Sequence, residues 1–141
     1  MNISVIDDET FILRLMKKTL ERDGYVVRVY RSGELFLNDI ENFRPDLVFL
    51  DILMPGLNGI QVYERLSELI PQQKVIFISA YDFTGKLDVI LKRSYVWYLP
   101  KPFGIKELRE IISQTGHIPL RAKRCQSTEF IGITEEEPKE S

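Results

Sequence analysis

An α/β fold, a doubly wound parallel sheet of five strands with five helices, is what the sequence predicts. Two observations carry it. Five short apolar runs are spread over residues 3–99, and four of them lack polar alternation. That marks strands covered on both faces, hence a parallel sheet. Segments with helical period separate each run from the next, which gives five βα units in succession.

The elements follow in order. "ISVI" (3–6) is the first strand, and residues 10–22 form a helix carrying Phe11, Leu13, Leu15, Met16 and Leu20. "VVRVY" (26–30) is interrupted by Arg28, which suits an edge strand. The next helix spans 33–41 after Ser32, an N-cap residue type. "LVFL" (47–50) precedes a helix over 58–69 with Ile60, Val62, Tyr63, Leu66 and Leu69, closed by Pro71. "VIFI" (75–78) precedes a helix over 84–93 with Leu87, Ile90 and Leu91. "YVWYL" (95–99) ends at "YLPKPF" (98–103), where neither proline has an N–H to donate to a ladder. The last helix, 105–114, carries Ile105, Leu108, Ile111 and Ile112. Its core stripe is drawn through Ile105, Leu108 and Ile112, which leaves Ile111 partly exposed.

Composition narrows the function. The chain has 141 residues, one domain's worth, with 44% hydrophobic and 28% charged residues, as in an ordinary globular protein. A net charge of −2 gives no basic field for nucleic acid or an anionic membrane. One cysteine, Cys125, excludes an internal disulfide and a Cys-based metal cluster. No signal peptide and no bilayer-spanning apolar run is visible, so a soluble cytoplasmic protein is expected.

Ligands of doubly wound sheets bind outside the carboxyl ends of the strands. Asp7, Asp8 and Glu9 follow the first strand, Asp51 the third, Ser79 the fourth and Lys101 the fifth. Singly, each reads as a cap or turn residue. Together, carboxylates, a hydroxyl and an ammonium converge on one rim. Clustered carboxylates repel one another unless a cation neutralises them, and oxygen-only ligands favour a hard ion such as Mg²⁺. A lysine and a hydroxyl opposite the metal would complete a cage for a phosphoryl group. No phosphate-cradling glycine loop is present, so side chains build the site. Asp51 is the natural covalent acceptor, because carboxylates form aspartyl-phosphate.

Five motifs in order, "VIDDE" (5–9), "LVFLDILMPGLNG" (47–59), "ISA" (78–80), "YLPKPF" (98–103) and "IKEL" (105–108), resemble the response-regulator receiver domain of two-component signalling, the CheY-like family. The resemblance covers about residues 1–115. It implies a flavodoxin-like sheet in the order 2-1-3-4-5. It also implies that Asp51 accepts a phosphoryl group from the phosphohistidine of a sensor histidine kinase or a phosphotransfer protein. Asp8, Asp51 and the Leu53 backbone carbonyl would bind Mg²⁺, with Mn²⁺ as a substitute, and Asp7 would hold the metal's waters. Lys101 would pair with the phosphoryl oxygens and Ser79 would hydrogen-bond one of them. Tyr98 would turn inward as Ser79 moves, and a cis bond before Pro102 would aim Lys101. Such a protein promotes only its own phosphorylation and dephosphorylation. Leu53 and Tyr81 flank the phosphoryl group in this family; both are bulky and neither orients water, which implies slow self-dephosphorylation.

Departures from the family pattern gather between residues 81 and 97. Ser94 and Tyr95 stand where a small Gly-Ala pair is common, and Trp97 where an acid is common. Receivers use this surface for output. Tyr95, Trp97 and Ile111 are therefore expected to form an apolar output patch for another protein, a second copy of the chain or the chain's own "EFIGI" segment; the alternative is that Trp97 folds into the core. Residues 116–141 match nothing and read as a disordered tail, a residual linker or a docking segment. His117 is the sole histidine and lies outside the site.

Two other classes are weighed. A haloacid-dehalogenase-like phosphatase needs a second aspartate two residues after the nucleophile, and that position is Leu53. A receiver cut from a longer DNA-binding transcription factor is the other; the acidic chain end argues against DNA contact by these residues.

Overall fold

The computed structural model describes residues 1–80 and 85–116. The expectations placed on Tyr81, on His117 and Cys125, and on the tail with its "EFIGI" segment lie outside the described residues. Strands β1 (Asn2–Ile6), β2 (Val26–Tyr30), β3 (Leu47–Asp51), β4 (Val75–Ser79) and β5 (Val96–Pro100) alternate with helices α1 (Thr10–Arg22), α2 (Gly33–Asp39), α3 (Gly59–Leu69), α4 (Lys86–Leu91) and α5 (Ile105–Gln114). All neighbouring strands pair in parallel, in the order β2-β1-β3-β4-β5.

The central strands explain themselves. β3 and β4 are buried along their whole length, as unbroken apolar runs require. Side chains alternate between two cores. Phe36, Val62, Tyr63, Leu66, Leu87 and Ile90 bring α2, α3 and α4 against one face of the sheet. Leu13, Met16, Leu20, Leu108, Ile111 and Ile112 bring α1 and α5 against the other. Each fully buried side chain of this size contributes about 1.5–3 kcal/mol relative to its exposed state.

Local signals set the helix starts. Ser32 accepts from the Leu35 amide at 3.2 Å, as its residue type predicted. Asn58 and Gln61 form a reciprocal capping box, which moves the start of α3 to Gly59. β2 lies at the edge anticipated from Arg28, whose guanidinium turns outward to Asp39 at 2.8 Å.

The output patch needs correction. Ile111 is only 6% exposed, whereas Ile105 is 42% exposed. Leu108, Ile111, Ile112 and Thr115 are all buried and follow the i, i+3, i+4, i+7 spacing. Anchoring the stripe on Ile105, the first residue of α5, rotated it away from the sheet. Trp97 is half-buried and packs on the α1/α5 core, while Tyr95, which precedes β5, packs on the opposite core. The three residues therefore do not share one surface.

Candidate functional site

The rim at the carboxyl ends of the strands gathers the polar residues. Asp7 follows β1 and is wholly buried; its amide donates to the Tyr30 carbonyl at 3.1 Å, and its Oδ1 accepts from the Glu9 amide at 2.8 Å. Asp8, one residue on, is exposed. Asp51 closes β3 and is 4% exposed. One carboxylate oxygen from each of Asp7, Asp8 and Asp51 lies within 4.8 Å of the others. The sheet order produces this convergence, because β1 and β3 are adjacent and parallel and end at the same level.

Lys101 supplies the counter-charge. Its amide donates to the Ser79 carbonyl at 2.8 Å, which extends the β4–β5 ladder past Pro100. The following Lys101–Pro102 bond is cis. The ammonium lies 2.9 Å from Asp7 Oδ2, 3.2 Å from Glu9 Oε1 and 3.7 Å from Asp51 Oδ1. Ser79 is buried at the end of β4 beside this group, and the half-buried Tyr98 hydroxyl also donates to the Ser79 carbonyl, at 3.2 Å.

Electrostatics follow from burial and crowding. Burial, then the Asp7 charge, push the Asp51 carboxyl up to about 7, against a smaller opposing pull from Lys101. Burial also raises Asp7, opposed by the Glu9 amide and by Lys101. For Lys101, burial disfavours the ammonium, but Asp7, Asp51 and Glu9 outweigh it and hold its pKa above the ordinary lysine value. Among the described residues, Lys101 thus meets three carboxylates, and Asp8 adds a fourth carboxylate to the same cluster. The donor set is all oxygen and carries surplus negative charge, which fits a hard dication. Asp7, Asp8 and Asp51 are the side chains placed to hold it.

Gly59 shapes the site from behind. Its amide donates to the Ile52 carbonyl at 2.8 Å, and a Cβ there would sit 2.4 Å from the Asp51 carbonyl oxygen and 2.8 Å from Ile52 Cα. Only glycine lets α3 start this close to the end of β3. Sequence reasoning gave no role to Gly59, although "PGLNG" held a signal for a tight approach, nor to Glu9, whose partner is 92 residues away. The Leu53 side chain is exposed on the loop after Asp51.

A doubly wound parallel sheet with three aspartates and a lysine gathered on its carboxyl rim sets the class of α/β protein. The chain belongs to the response regulator receiver domain family, whose profile matches residues 3–113. It is similar to sporulation initiation phosphotransferase F of Bacillus subtilis (strain 168), at 31% identity over 123 residues, covering 85% of this chain and 95% of that protein. It is also similar to response regulator MprA of Mycobacterium avium (strain 104), at 32% identity over 134 residues, covering 95% of this chain and 58% of the relative. The chain thus spans about half the length of the mycobacterial regulators it matches. Among solved structures, the Thermotoga maritima response regulator TrrA in complex with Mg(2+)-BeF superposes with a TM-score of 0.70 at 32% identity, covering 81% of this chain and 97% of that one. A CheY-like receiver from Methanospirillum hungatei superposes with a TM-score of 0.72 at 26% identity, covering 91% and 98%.

Proposed function

We infer that this receiver is a phosphoacceptor in which Asp51 carries the phosphoryl group. The observation that supports this most directly is the placement of a buried Asp51 between two further aspartates and an ammonium 3.7 Å away. An Asp51 carboxylate oxygen attacks the phosphorus of a phosphohistidine on a sensor histidine kinase or phosphotransfer protein. The O–P bond forms as the N–P bond breaks, and the imidazole leaves with the electron pair and takes up a proton. Attack requires the ionised carboxylate, and burial, then the surplus negative charge around Asp51, opposes that form. A bound Mg²⁺ would neutralise this charge and that of the phosphoryl oxygens. Asp8, Asp51 and the Leu53 carbonyl would hold the metal, with Asp7 acting through its waters. Lys101 shifts from Asp7 towards the phosphoryl oxygens, and Ser79 donates its hydroxyl to one of them.

In this reading the protein catalyses nothing beyond its own phosphorylation and dephosphorylation, and its output runs through protein contacts near β5. Tyr98 supports the reading, because its hydroxyl and the Lys101 amide share the Ser79 carbonyl. Trp97 and Tyr95 offer partly exposed apolar surface on opposite sides of the sheet edge, for an output protein or a second copy of the chain.

The test is labelling with acetyl phosphate and Mg²⁺, followed by mapping of the adduct. One adduct, on Asp51, is expected, with loss of labelling in Asp51→Asn and in EDTA. Equal labelling of Asp51→Asn overturns the assignment.

A further inference from the structure

Glu9 sits at the N-cap of α1, yet its side chain makes no cap hydrogen bond. Glutamate is a poor N-cap residue, and α1 has no acidic residue in its first turn. Instead the Glu9 carboxylate reaches Lys101 at 3.2 Å, closer than Asp51 at 3.7 Å. The Glu9 backbone is fixed as well, since its amide donates to Asp7 Oδ1 at 2.8 Å. Asp7 and Glu9 therefore grip the ammonium together, through 2.9 and 3.2 Å contacts, while the acceptor carboxylate gets the longest of the three.

We propose that Glu9 is a positioning residue that holds the Lys101 ammonium on the Asp7 side of the site, so that phosphorylation of Asp51 has to break the Glu9–Lys101 ion pair. This rests on the phosphoacceptor reading of Asp51. Its consequence is kinetic. Glu9 slows phosphorylation and favours the return of the lysine once the phosphoryl group is lost. The carboxylate is largely exposed and the ammonium largely buried. A pair of this kind is worth about a two- to fivefold change in rate, and salt weakens it.

The experiment measures the phosphorylation rate of the full chain by acetyl phosphate at saturating Mg²⁺, for wild type, Glu9→Gln, Glu9→Asp, Lys101→Gln and the Glu9→Gln/Lys101→Gln double variant. A crystal structure of Glu9→Gln without metal is the second readout. Glu9→Gln is expected to phosphorylate about two to five times faster than wild type, with the gain shrinking at high salt. Its ammonium is expected to lie closer to Asp51 than the 3.7 Å of the wild type. Glu9→Asp, which keeps the charge, falls between the two. In the Lys101→Gln background the Glu9 substitution is expected to change nothing, which separates a tether from repulsion of the anionic donor. An equal acceleration in both backgrounds overturns the proposal, as does an unchanged rate in Glu9→Gln. Failure of wild type to take the label on Asp51 would instead overturn the phosphoacceptor reading itself.

Discussion

The carboxyl rim and the face of α5 are both made of residues a sequence displays openly, yet they differ in how position is set. At the rim, Asp7, Asp51, Ser79 and Lys101 sit at the ends of adjacent parallel strands, and the sheet order leaves them nowhere else to go. On α5 nothing comparable pins the rotation of the helix. A change of anchor residue moves the whole stripe, and Ile105 lies about 70° from the centre of the buried set. Topology fixes a strand end to within a residue; a helix face is fixed only by its packing.

The largest expected effect sharpens the α5 side of this contrast. Ile111→Ala is expected to cost about 2–5 kcal/mol in urea denaturation, because the side chain fills the core beneath α5. Ile105→Ala is expected to stay within about 0.5 kcal/mol, as for a surface position. Equal effects at the two sites would return the stripe to its sequence-based placement.

A smaller effect probes the rim. Gly59→Ala is expected to cost about 1–3 kcal/mol, because the added Cβ meets backbone rather than a mobile side-chain end. It is also expected to slow acetyl phosphate labelling, since the carbonyl it presses on belongs to Asp51. A stability loss with unchanged labelling would mean that α3 shifts and leaves the acceptor in place.

The smallest effect concerns pH. The folded-state pKa of Asp51, raised to about 7 from 3.8, lies above its unfolded value. The folded protein therefore keeps a proton that the unfolded chain has lost. Stability from this group is fully present below about pH 4 and is lost as pH rises through about 7. Between pH 5 and 8 the metal-free protein is expected to lose a few degrees of melting temperature. Mg²⁺ is expected to restore them at the upper end more than at the lower. Asp51→Asn is expected to flatten the slope; a slope unchanged in that variant would assign it to other groups.

How much was legible follows the same division. The strands fell within a residue of their apolar runs, and Ser32 was readable as a cap because its chemistry is local. Asp7, Asp8, Asp51, Ser79 and Lys101 were readable because strand order carries them to one rim. Glu9 was visible as one more rim carboxylate, but its ion pair depends on two side-chain rotamers, which no spacing encodes. The expected patch of Tyr95, Trp97 and Ile111 rests on the family's output surface and on the α5 stripe, whereas Tyr95 precedes β5 and packs on the core opposite Trp97 and Ile111, a placement that only tertiary packing sets.

The Ser79 carbonyl oxygen accepts from the Lys101 amide and from the Tyr98 hydroxyl. One atom therefore belongs both to the acidic rim and to the outer edge of the sheet. Linkage makes such an arrangement symmetric. If Asp51 carries the phosphoryl group as proposed and that state prefers one placement of Tyr98, a protein that binds this placement more tightly would stabilise the phosphorylated form by the same factor by which phosphorylation tightens its own binding.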